Sequence, residues 1–313
     1  MLLKSLNGKC QSTCTTTGPS PGCALVNHIM LYIILGVLLG MFVPAQAMLY
    51  RPEKGAMWDP SVIWHEGKYY AFMMYSKGRR GLNAKYCLLA SSPDGVHWND
   101  EGIVNEEREP NCRFFKCFVA RCGDKFIMNH GVSRPKAQDT LRFYESRDLK
   151  NWNHLFSSNP DPKWYVPTSR WDHMYMLAKE EGKHEAGYWG YVVAAPKEAP
   201  GVGMMQSVDG LEWEVLPPAP IEWPQGIQGR NSFEWGGCER IGDKYYLIGG
   251  GGKFLGNSYS MYTLVADSPL GPFRFENEAY RLCGTSYGRS VRGKGSKSLS
   301  WLAAWARVKD ELL

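Results

Sequence analysis

The sequence predicts an all-β protein, a five-bladed β-propeller of which four blades and only the first strand of the fifth are present. Three observations carry this expectation. One phrase recurs along the chain at a period of about 55–60 residues, in the range of the longer propeller-blade repeats. From Met57 onward, short runs rich in Tyr, Val, Ile and Phe alternate with clusters of Gly, Pro, Asp and Asn, as expected of strands and turns. Helical periodicity is almost absent over the same stretch.

Blade one, about 57–106, opens on Trp58-Asp59-Pro60, turns at Gly67-Lys68-Tyr69-Tyr70 and ends in Ser92-Pro93-Asp94-Gly95-Val96-His97-Trp98. Blade two, about 114–158, repeats the first turn as Gly123-Asp124-Lys125-Phe126 and the second as Ser146-Arg147-Asp148-Leu149-Lys150-Asn151-Trp152. Blade three, about 168–218, carries Gly187-Tyr188-Trp189 and Ser207-Val208-Asp209-Gly210-Leu211-Glu212-Trp213. Blade four, about 231–283, has Gly242-Asp243-Lys244-Tyr245-Tyr246 and Asp267-Ser268-Pro269-Leu270-Gly271-Pro272-Phe273. Asp-Gly pairs make tight turns because glycine takes positive φ without steric cost. The aromatic three residues on, or at the equivalent place (Trp98, Trp152, Trp213, Phe273), is expected to pack between adjacent sheets. A Gly/Ser/Arg-rich loop is expected over 284–299, and Trp301 to Leu312 reads as the first strand of a fifth blade. Because propellers close to remove sheet edges, this pattern predicts a chain shortened at its C-terminus.

The bulk composition sets outer limits. A chain of 313 residues with 44% hydrophobic residues can bury a large core, and a net charge of +5 without a basic stripe argues against a nucleic-acid partner. Aromatic residues make up 13% of the chain, which suits sheet packing and also a sugar-binding cleft. Nine cysteines include no Cys-x-x-Cys pair, which argues against structural zinc. The six beyond residue 47 read equally well as three disulfides or as buried thiols. Residues 1–47 read as a leader: Met30 to Val43 is an uncharged apolar run too short to span a bilayer comfortably, and it ends in Pro44-Ala45-Gln46-Ala47, a signal-peptidase-like pattern. The expectation is a secreted or periplasmic protein spanning 48–313, with Met30 as an alternative start and a membrane anchor as the less favoured alternative.

Three blades carry an acid near the start of their first strand: Asp59, Asp172 in Arg170-Trp171-Asp172-His173, and Glu234 in Ser232-Phe233-Glu234-Trp235. Asp59 lies 13 residues before Phe72 and Glu234 lies 13 before Leu247, each following a Tyr-Tyr pair. On that count the two acids share one phase and converge on the propeller axis. Glycosidic cleavage needs such carboxylates: one to activate water or attack carbon, one to protonate the leaving oxygen, and a third to orient the sugar and tune the acid. The competing reading has each acid capping a turn or pairing with an Arg. Trp58, Trp171 and Trp235 adjoin the acids and suit sugar stacking or core packing. His130 and His173 suit hydroxyl binding or a structural role, and Arg230 and Asn231 are placed to line the same end.

With these motifs the sequence resembles the five-bladed β-propeller glycoside hydrolases of families 43 and 32. The Trp-Asp-Pro opening followed by Gly-Lys-Tyr-Tyr matches their first-blade motif, over about 57–313. The resemblance implies Asp59 as general base of an inverting enzyme or nucleophile of a retaining one, Glu234 as general acid, and Asp172 as the residue that orients substrate and raises the acid's pKa. It implies a carbohydrate substrate and no obligate cofactor. Some relatives hold an axial calcium ion, and no loop here has EF-hand spacing. Glu234 is followed by Trp235-Gly236 and Asp172 by His173, outside the family's usual motifs, which disfavours a fructan substrate. A separation of about 5–5.5 Å between the two carboxyls would imply retention and about 6.5–9.5 Å inversion. The competing functions are a non-catalytic carbohydrate-binding propeller or inactive fragment, and a phosphate-dependent phosphorylase, which would need basic residues at the same end.

Overall fold

The computed structural model describes residues 50–78, 84–134, 138–182, 184–223, 234–251, 260–275, 281–283, 286–292 and 298–304. Every regular element among them is a β-strand. The first meander is β1 (Ala56–His65), β2 (Lys68–Ser76), β3 (Tyr86–Ser92) and β4 (Asn99–Glu106), paired in that order. The second is β5 (Arg113–Cys122), β6 (Lys125–Ser133), β7 (Thr140–Ser146) and β8 (Asn153–Ser158). The third is β9 (Trp171–Ala178), β10 (Tyr188–Ala194), β11 (Gly201–Ser207) and β12 (Glu214–Glu222). The fourth is β13 (Glu234–Ile241), β14 (Lys244–Gly251), β15 (Ser260–Ala266) and the two-residue β16 (Phe273–Arg274), with β17 (Arg281–Cys283) also on β15. A parallel pairing of Ile221 with Phe273 and Glu222 with Arg274 ties β12 to β16.

Past the fourth meander, β18 (Ser286–Arg292) pairs antiparallel with β19 (Ser298–Ala304). The expected loop over 284–299 therefore contains a strand, and Trp301 lies on the second strand of a hairpin rather than on a first strand. Gly, Ser and Arg carry little intrinsic β preference, so composition hid a strand that its pairing partner supports. The first strands touch in sequence: β1 lies against β5, β5 against β9, β9 against β13, β13 against β18, and β18 against β1. This is a propeller-type arrangement of radial sheets.

The repeated phrase owes its recurrence to turn chemistry. Two-residue loops join His65 to Lys68, Cys122 to Lys125 and Ile241 to Lys244, with Gly67, Gly123 and Gly242 at φ of 82°, 62° and 64°. At the second turn, Ser92 Oγ accepts from Gly95 N at 2.8 Å while Asp94 Oδ1 accepts from Val96 N and His97 N, each at 2.8 Å. Ser146 with Asp148, and Ser207 with Asp209, repeat that pattern. The closing Trp152 and Trp213 donate from Nε1 to Leu149 O and Gly210 O, both at 3.0 Å.

Those aromatics then pack onto the preceding sheet. Trp152 meets Phe72 with ring centroids 5.9 Å apart, Trp213 meets Phe143 at 6.1 Å and Phe273 meets Tyr191 at 6.2 Å. Trp98 covers the face of the first meander formed by Ala71, Met73 and Leu88. Cys87, Cys112, Cys117, Cys122 and Cys238 are buried free thiols, so among these five the thiol reading holds and the disulfide reading does not.

Candidate active site

Each of the four first strands is interrupted near its start by a β-bulge. The register shifts between Trp58 and Ser61 on β1, between Phe115 and Cys117 on β5, across Asp172 and His173 on β9, and between Trp235 and Gly237 on β13. A bulge adds a residue without a pairing partner and re-aims its side chain. Charged residues sit at these points: Asp59 at φ 51°, Lys116 at φ 30°, Asp172, and Glu234 one residue ahead of the last shifted pair. Non-glycine residues rarely take such positive φ.

The observed register corrects the phase read from the sequence. Glu234 pairs with Gly250, six residues beyond the hairpin Lys244, whereas Met74, six beyond Lys68, pairs with Trp58. Glu234 is thus the equivalent of Trp58 and lies one residue out of phase with Asp59. Phe72 and Leu247, from which the phase was counted, differ by one position after their Tyr-Tyr pairs. By this count Asp59, nine residues before Lys68, shares its phase with Lys116, nine before Lys125, and with Trp235, nine before Lys244; of these two only Lys116 is charged.

Side chains from three sheets converge here. Arg170 Nη2 donates to Asp172 Oδ2 at 2.6 Å and to Glu234 Oε1 at 3.0 Å. Lys116 Nζ donates to Glu234 Oε2 at 2.6 Å. His173 N donates to Asp172 Oδ1 at 2.7 Å. Asp59, Lys116 and Asp172 are buried, and Glu234 is partly exposed. Burial works against ionisation of Asp172, but hydrogen bonding from His173 and the charge of Arg170 outweigh it and hold its pKa far below the usual carboxylate range. Burial likewise opposes ionisation of Glu234, and the charges of Lys116 and Arg170 overcome it, bringing its pKa down to about 2. The upward push expected from Asp172 is present but is the smaller effect, so Glu234 stands ionised. Asp139, just ahead of β7, is a further carboxyl that sequence reading missed; burial raises its pKa and the charge of Asp172 adds to the rise.

The remaining sequence candidates separate into structural and undescribed positions. Trp171 is fully buried against Tyr165, with ring centroids 5.0 Å apart, and Trp235 is buried in the core between the third and fourth sheets. Trp58 is partly buried against the core of the first two sheets. These tryptophans pack. His173 is buried, and its Nε2 lies 2.8 Å from the carbonyl oxygen of Trp235, linking β9 to β13. His130 is buried in a stack between Phe114 and Tyr144, and burial lowers its pKa to about 3, so it is neutral. Arg230 and Asn231 lie outside the described residues. Among the described residues no group of three or more His, Cys, Asp or Glu is arranged to hold a metal ion.

Gly131 backs the site. A Cβ there would lie 2.8 Å from Asp172 Oδ1 and 3.1 Å from Asp172 Cα. Gly131→Ala is expected to displace Asp172, costing about 1–3 kcal/mol in stability by overpacking. Urea unfolding measures the loss.

No family model matches the chain. A curated relative, the probable sucrose-6-phosphate hydrolase of Psychromonas ingrahamii, is 26% identical over 167 residues, a match covering 47% of this chain and 30% of that protein. Among solved structures, the exo-inulinase of Aspergillus awamori superposes with a TM-score of 0.61 at 14% identity, over 83% of this chain and 59% of its own. A GH43 β-xylosidase/α-arabinofuranosidase from a compost microbial metagenome superposes with a TM-score of 0.59 at 14% identity, over 82% of this chain and 88% of its own. The chain thus matches less than two thirds of the length of the curated relative and of the inulinase. The likeness to these solved structures is one of fold, the all-β, propeller-type arrangement of radial sheets described above.

Proposed function

We propose that this protein is a glycoside hydrolase that cleaves glycosidic bonds in poly- or oligosaccharides by carboxylate acid/base catalysis, with inversion. The observation that carries the reading is the meeting of Asp172, Arg170, Glu234 and Lys116 from three radial sheets, beside strand bulges that hold Asp59 and Lys116 at positive φ. Buried charge at strained backbone is characteristic of sites that do chemistry. In this reading Asp59 takes a proton from the attacking water, Asp172 fixes Arg170 and the sugar, and Glu234 protonates the leaving oxygen. Glu234 must gain a proton before it acts, which requires that Lys116 and Arg170 loosen their hold when the sugar arrives. We further read the ring of contacts β1–β5–β9–β13–β18 as a five-bladed propeller, and residues 1–47, outside the described residues except as sequence, as a secretory leader.

Glu234→Gln is expected to lower turnover of aryl glycosides and oligosaccharides by about 10²–10⁴-fold, with the largest loss on substrates with poor leaving groups. Unchanged turnover relative to an active parent removes Glu234 from the mechanism. Proton NMR of the first-formed sugar reads the anomer, and a retained configuration overturns inversion.

A further inference from the structure

Two of the buried thiols touch each other across the boundary between the first and second sheets. Cys87 lies on β3, opposite Met74 and Asn105. Cys117 lies on β5, opposite His130, as the first paired residue beyond the bulge that carries Lys116. The Cys87 thiol donates to Cys117 Sγ across 3.7 Å. Both residues are 0% exposed and share an apolar cluster with Phe72, Leu89, Phe114 and Met128. Cys112, Cys122 and Cys238 hydrogen-bond instead with Glu109, Tyr188 and Tyr191. In this structure all five are thiols. A disulfide needs its sulfurs at about 2.05 Å, so side-chain rotation at Cys87 and Cys117 has only a short gap to close.

We propose that Cys87 and Cys117 are a disulfide-forming pair, closed when the chain folds under oxidising conditions, and that the bridge ties the sheet bearing Asp59 to the strand bearing Lys116. The oxidant is a low-molecular-weight disulfide. The thiolate of one cysteine attacks a sulfur of that disulfide and releases one small thiolate. The thiolate of the second then attacks the protein sulfur of the mixed disulfide and releases the other. The protein pair is oxidised, the external disulfide is reduced to two thiols, and the protons lost by the two cysteines go to the released thiolates. Once the sheets have packed, burial raises the Cys87 pKa well above the ordinary thiol value, and the hydrogen bond to Cys117 adds to the rise. Attack requires the thiolate, so closure belongs to folding or to local opening of the sheet boundary. The bridge would span 30 positions of the chain, and a loop of that length restricts the unfolded ensemble appreciably. The bridge is read by mass and by stability, so it stands or falls apart from the glycosidase reading.

The test is to refold the reduced full chain in a mixture of oxidised and reduced glutathione, quench with iodoacetamide, digest with trypsin and map the cysteines by mass. Peptide Tyr86–Arg108 is expected to be joined to Cys117–Arg121, with the link lost on reduction, while Cys122 and Cys238 carry the alkyl label. The unfolding equilibrium constant in urea should be about 10²-fold smaller for the oxidised chain than for the same chain in dithiothreitol. Cys87→Ala and Cys117→Ala should each abolish both the link and this redox dependence, and Cys122→Ala should keep both. If the parent does not refold, the same mapping is made on chain that was never unfolded, held in oxidised glutathione at urea concentrations below its transition, with the same link expected. Cys87 and Cys117 both recovered with the alkyl label, or either one joined to a different cysteine, overturns the proposal. A link whose closure leaves the urea transition unmoved also overturns it, because a bridge across the native sheet boundary must stabilise the folded chain.

Discussion

Replacing Asp172 with Asn should cost about 3 kcal/mol of stability at neutral pH and lower turnover by roughly 10²-fold or more. The carboxylate is 4% exposed and accepts from Arg170 at 2.6 Å and from the backbone N–H of His173 at 2.7 Å. Removing its charge leaves Arg170 with Glu234 alone and disturbs the geometry of both acids. The loss has a definite pH dependence. The folded-state pKa of Asp172 is depressed, so the stability it contributes is present above the unfolded aspartate value of about 3.9 and is lost as pH falls below it. Urea unfolding at pH 7 should therefore show the full difference between the parent and Asp172→Asn, and the difference should shrink by pH 3. A difference that persists undiminished at pH 3 would place the effect in packing rather than in charge.

Trp171→Ala should be more destabilising still, by about 3–5 kcal/mol. The indole is fully buried among Tyr165, Ile127, Leu141, Phe143 and Met174, where the second and third sheets meet. The adjacent carboxylate makes this tryptophan look like a sugar platform in the sequence, yet no face of it is open to a ligand. The denaturant midpoint is the measurement, with Trp171→Phe as the milder companion that keeps a ring in the site. Both variants should retain the parent's KM in whatever fraction stays folded. A weakened KM at parental stability would return Trp171 to the sugar face.

Much of the architecture is legible from residues alone because it is local. Gly67 and Gly242 make two-residue loops wherever a Tyr-rich strand follows, and the Ser-x-Asp triplets at 92–94, 146–148 and 207–209 bond the backbone within three residues of themselves. Such features recur in the chain as words, and they place the four meanders close to the strand borders found. The strand β18 was hidden because Ser286 to Arg292 has the composition of a loop, and only pairing with Ser298 to Ala304 makes it a strand. The site was half legible. Asp172 and Glu234 do meet, through Arg170. Lys116 was overlooked because a lysine in a strand carries no catalytic motif, although its spacing from Lys125 repeats that of Asp59 from Lys68.

Turn chemistry and alternating strands depend on interactions across a few residues, so the order of residues was enough to establish the repeat and its sheets. The identity of the groups facing Glu234 depends on register, and a bulge shifts register by one residue, which sends a side chain to the other face. Bulges form where neighbouring sheets demand them. Packing between sheets therefore selected Lys116 as the partner of a glutamate 118 positions away, and with it the ionised state of that glutamate.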